Sequence, residues 1–108
     1  MFEVIAEQNG IPESKLKADI QRALHDLGTV QRAYLAFVRH DFPPTPAPNG
    51  TVALCLLFRP GVQPGRTVAH CLAVFKRMFN TEQSLDIIPI NEDLEACLLE
   101  FSTPFFNE

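Results

Sequence analysis

The chain has 108 residues, 46% of them hydrophobic and 20% charged, with a formal net charge of -4. That balance suits one globular domain with a sizeable core and excludes a disordered chain. An acidic chain lacks the general attraction that nucleic acid or an anionic membrane surface would need, so no nucleic-acid partner and no membrane partner is expected.

The opening stretch MFEVIAEQNG carries acids where a secretory signal would carry lysines, and it has no apolar core. No run approaches the roughly 18 apolar residues of a membrane span. The three cysteines form no CxxC pair, and Cys55, Cys71 and Cys97 all lie among apolar neighbours. Both features point to the reducing cytoplasm.

In chain order, Phe2–Glu7 (FEVIAE) reads as a short strand, and Asn9-Gly10 as a turn. Pro12 suits the first turn of a helix, where a missing N–H costs nothing. From Glu13 to Leu27, Leu16, Ile20, Ala23, Leu24 and Leu27 recur at helical spacing, and Gly28 stops the helix. Thr29–His40 reads as a strand rich in aromatic and β-branched residues. A loop with prolines at 43, 44, 46 and 48 follows, then a second strand, Thr51–Phe58. Thr67 is a plausible cap for a helix reaching Phe79, with Val68, Cys71, Leu72, Phe75 and Met78 on one face. Leu85–Ile90 is a last strand whose Pro89 suits an edge or an end. Asn91 or Asp93 caps a short helix through Leu99, and STPFFNE forms a tail.

The order β-α-β-β-α-β predicts an α+β, ferredoxin-like fold: an antiparallel sheet with two helices on one face, plus a short C-terminal helix and tail, all in a single domain over 1–108. Neither central strand alternates cleanly. One strand offers Ala33, Leu35 and Phe37 on one face and Val30, Tyr34, Ala36 and Val38, interrupted by Arg32, on the other. The next offers Val52, Leu54, Leu56 and Phe58 against Ala53, Cys55 and Leu57. A sheet with one wet face should alternate. The second face is therefore expected to be covered, by the C-terminal segment, another subunit or a ligand, a homodimer being preferred to the last helix and tail folding back.

Signals for chemistry are sparse. His25, His40 and His70 are scattered without metal-ligand spacing, and no nucleophile or phosphate-loop motif occurs. Cys55 and Cys71 sit at core positions. Glu92, Asp93 and Glu95 open a helix, where the dipole favours acids. Lys15/Lys17 and Lys76/Arg77 read as solvated faces. No catalytic residue, metal ligand or cofactor is assigned. The proline loop is read first as a stiff connector. PPTP also has the PxxP spacing of a ligand for a partner's aromatic groove.

VQRAYLAFV (from Val30), LDIIPINEDLEACL (from Leu85), the terminal STPFF and the Pro-started IPESKLKADIQRAL together resemble the C-terminal domain of the enhanced serine sensitivity protein (SseB) family. The resemblance spans Ile11 to Phe106, with Phe106 standing where the family's finish has tyrosine. It implies a bacterial protein of undefined molecular activity, and Phe105 and Phe106 as anchored rather than frayed. The function expected is a cytoplasmic, non-catalytic interaction or regulatory module. Its candidate surface for a protein partner, or for a second copy, comprises Arg32, Tyr34, Phe42, Pro43, Pro44, Pro46, Phe58, Phe105 and Phe106, with Phe37 and Arg39 as further contacts. The alternative is a binder of, or enzyme acting on, an amino acid or related small metabolite, through a pocket that no motif marks.

Overall fold

A computed structural model describes residues 2–8, 10–43, 46–79 and 85–108. The elements run β1 (Phe2–Glu7), α1 (Ile11–Leu27), β2 (Val30–His40), β3 (Ala47–Phe58), α2 (Gly65–Met78), β4 (Asp86–Ile90), α3 (Glu92–Leu99) and β5 (Phe106–Asn107). Among the described residues this is an α+β fold of one mixed five-stranded sheet and three helices.

The sheet order is β1-β2-β3-β4, with β5 also on β2. It differs from the ferredoxin-like expectation, in which the strands interleave and all pair antiparallel. Here β1–β2 and β2–β3 are antiparallel, and β3–β4 is parallel. The register explains the difference. β1 is short and pairs only with the C-terminal half of β2, from Phe2↔His40 to Glu7↔Ala36. The chain therefore leaves the sheet level with the middle of β2. α1, about 25 Å long at 1.5 Å per residue, then carries it to the start of β2 at Val30. The edge that β1 leaves vacant beside the N-terminal half of β2 is taken by β5, through Arg32↔Asn107 and Ala33↔Phe106.

α1 begins at Ile11, two residues before the expected start, with Pro12 in its first turn. Gly28 ends it in the left-handed conformation (φ 67°), its N–H bonded to the Leu24 carbonyl. α2 also begins early, after Pro64, so Thr67 is not its cap. Thr67 is buried inside the helix and shares a 2.7 Å hydrogen bond with Thr29, pinning α2 to the start of β2. Val74 is buried on α2, whereas Val68 and Leu72 stay half-exposed, so the apolar stripe is wider than the contact.

Both faces of the sheet are covered within the chain. On one, α1 and α2 pack Leu16, Ile20, Leu24 and Cys71 against Ala33, Leu35, Leu54 and Leu56. Val30 joins this face, contrary to expectation, because a bulge between Val30 and Arg32 reverses the alternation of β2. On the other face, Tyr34, Ala36, Val38, Ala53 and Cys55 are fully buried under α3 residue Leu98, with Leu94 and Phe42 against the same cluster. The tail does not cover this face. Phe106 is 2% exposed and enters the helix-side core.

The proline loop is shorter than it reads. β3 already pairs at Ala47 with His40, and the strand absorbs Pro48 and Asn49-Gly50 at a second bulge. Gly50 has φ 104°, and a Cβ there would run into the Phe37 ring. Glycine is required twice over: for the positive φ and for the close approach.

Candidate functional site

A groove of about 710 Å³ lies around β4. β4 is an edge strand, because the sheet path ends there. Val68, Leu72 and Lys76 of α2 form one wall; Phe42, Pro43 and Leu94 form the other; Leu85 to Pro89 lie along the floor. Pro89 is exposed and has no N–H to offer a further strand, which limits edge pairing without closing the groove.

His40 closes one end. It is buried, and the Phe42 backbone N–H donates to its Nδ1 at 3.1 Å. Nδ1 is thus an acceptor, Nε2 carries the proton, and it donates to Asp86 Oδ2 at 3.0 Å. This histidine–carboxylate pair resembles half of a catalytic triad, but the second ring nitrogen is already occupied by backbone. Its evident work is structural, tying the end of β2 to β4 across β3. The His40 ring stacks on Phe42, which stacks on Phe2, with centroids 5.1 and 5.9 Å apart.

A second polar cluster anchors α3. Asn91 caps the helix, its Oδ1 accepting from the Leu94 N–H at 2.9 Å. Glu92 and Asp93 remain exposed in the first turn, whereas Glu95 is buried. Glu95 accepts from Arg32 through two nitrogens, one at 2.9 Å, and from the Tyr34 hydroxyl at 2.7 Å. The bond from Arg32 holds the Glu95 carboxyl below the usual carboxylate range, and burial followed by the Glu95 contact raises the Tyr34 phenol. Glu95 is thus more than a helix-dipole acid. The interruption of an apolar strand face by Arg32 was the sequence signal that a buried acid must face it.

The expected contact residues divide. Tyr34 and Phe106 are buried and present no free surface. Arg32, Phe58 and Phe105 are half-buried; Phe58 and Phe105 pack against the helix-side core, with Lys17 Nζ 6.0 Å from the Phe105 ring centroid. Phe37 is half-buried over Gly50, and Arg39 pairs with Glu3 across β1. Pro43 and Pro46 are exposed, and Phe42 is half-buried. Pro44 lies outside the described residues. Among the described residues of the set, Phe42 and Pro43 line the groove. Sequence reasoning placed Val68 and Leu72 in the core and Lys76 on a solvated face, and so missed their convergence.

Burial raises the Cys55 thiol to about 12 and the Cys71 thiol to about 11, which keeps both from acting as nucleophiles near neutrality. Cys97 is exposed on α3. No group of three or more metal-ligating side chains occurs among the described residues, and no described helix is long and apolar enough to cross a membrane.

Scanned against protein-family models, and compared with curated proteins and with solved structures, the chain matches none of them.

Proposed function

We propose that this protein is a cytoplasmic, non-catalytic interaction module of the kind its resemblance to the SseB C-terminal domain implies, and that its binding surface is the β4 groove. The groove itself carries the reading. Half-exposed Val68, Leu72 and Leu94 flank an edge strand that presents Ile87, so an incoming chain meets apolar walls and a few open backbone groups together. The occupant that fits is an extended apolar segment of a partner protein, with an acidic residue near Lys76, which has no hydrogen-bond or ion-pair partner among the described residues. A homodimer through the second sheet face would require α3 to leave it, since that face is buried in the single chain.

Selection from a displayed peptide library tests this. Wild type should enrich peptides sharing an apolar pattern, and Leu72→Glu should lose them while keeping a native circular dichroism spectrum. Failure to enrich, or equal enrichment by Leu72→Glu, removes the proposal. The alternative, an amino acid or related metabolite, draws support from the nearness of Lys76 and Asp86 to one cavity. It would appear as saturable binding of a free amino acid with no peptide selected.

A further inference from the structure

On the helix side of the molecule, away from β4, α1 and α2 flank a second, open cavity of about 450 Å³. Its size falls within the range of small-molecule sites, roughly 300–1,000 Å³. Helical spacing builds it. Asp19, Arg22 and Ala23 lie on one face of α1, and His70, Val74 and Arg77 on one face of α2. Ala23 and Val74 are buried in the interhelical contact beneath it. The walls are charged.

The charges do not cancel. Arg22 is held by Asp19 at 3.0 Å, one turn away on the same helix. Arg77 and His70 have no hydrogen-bond or ion-pair partner among the described residues, yet they border the same cavity. Two guanidinium groups against one carboxylate leave the lining net positive, in a chain whose formal net charge is -4. Here the guanidinium groups come from two helices onto one concave space. Guanidinium forks bind phosphate through paired N–H donors, and the imidazole adds one more.

We infer that the α1–α2 cavity lined by Arg22, His70 and Arg77 binds the phosphate group of a small phosphorylated molecule. The positive lining matches a dianion better than a single carboxylate. This site is independent of the β4 groove.

The test is a two-dimensional amide titration at constant ionic strength, with inorganic phosphate and then glycerol 3-phosphate as probes, and sodium chloride as the control. The inference expects saturable shifts confined to residues 19–23 of α1 and 70–78 of α2, with glycerol 3-phosphate at least as tight as phosphate. Arg77→Gln should weaken binding about 5-fold, as loss of a charge-assisted contact on a partly exposed surface does. Arg59→Gln, beside the tail, should leave it unchanged. Arg22→Gln, at a position whose side chain is 79% exposed, repeats the test without risk to the fold. Shifts that sodium chloride reproduces, that stay linear in probe concentration, or that persist in both Arg77→Gln and Arg22→Gln would overturn it.

Discussion

Replacing Phe106 by alanine probes how the chain closes its core. Phe106 is 2% exposed and sits with Val30, Ala33 and Leu24 in the helix-side cluster. Emptying a buried phenylalanine site costs about 3–5 kcal/mol. A two-residue strand has a ceiling, however, because it can detach instead of holding a cavity. β5 is fastened by its pairing with Arg32 and Ala33 and by backbone bonds from Phe105 to Ala33 and from Glu108 to Gln31, at 3.0 and 2.9 Å. The loss should therefore be about 3 kcal/mol, and removing residues 104–108 should cost little more. Phe105→Ala, at a half-buried site, should cost about 1–2 kcal/mol. Urea unfolding followed by circular dichroism reads all three. With a slope near 1.3 kcal/mol/M, Phe106→Ala should lower the midpoint by about 2 M. A midpoint within about 0.3 M of wild type would refute the claim that β5 is part of the core.

Further outcomes follow from the same structure. Glu95→Gln should destabilise by about 2–3 kcal/mol at pH 7, less than a fully buried pair because Arg32 remains a third exposed. The Glu95 carboxyl is depressed in the fold, so its contribution is complete above the unfolded value of about 4.3 and is lost as pH falls through the folded one. The gap between wild type and Glu95→Gln should therefore shrink on acidification from pH 5 to pH 3 in parallel urea curves; a constant gap would deny the ion pair its role. Gly50→Ala should cost about 2–4 kcal/mol by chemical unfolding, from a positive φ and from the Phe37 ring together. In native protein at pH 8 a thiol reagent should label Cys97 quickly and leave Cys55 and Cys71 untouched until the chain unfolds; rapid labelling of all three would contradict the buried positions.

The sequence made the elements readable and left the topology open. Helical spacing in α1 and the proline and glycine at its ends located that helix to within two residues. Strand polarity also marked the two apolar faces of β3. Strand order is different, because β-α-β-β-α-β is compatible with interleaved and with consecutive pairing. What decides here is that β1 stops level with Ala36 and that β5 fills the remaining edge, and no periodicity records either fact. The bulge that moves Val30 to the helix side is likewise invisible to a period-2 reading. Cover for the second face was foreseen with a second copy preferred to the last helix and tail; it is the last helix, α3, fixed by Glu95, that supplies it. Glu95 lies three residues before Leu98 on the buried side of its helix, so its spacing marked it as inward-facing. The β4 groove was hidden because Val68 and Leu72 satisfy the same helical stripe as core residues.

The most direct test of the groove is amide and methyl shift mapping with the tightest peptide selected by the wild-type protein. The account predicts perturbations confined to residues 68–76 of α2, to β4, and to Phe42 and Leu94, all abolished by Leu72→Glu. Perturbations centred on β1 or the outer face of α3, and retained in Leu72→Glu, would contradict it.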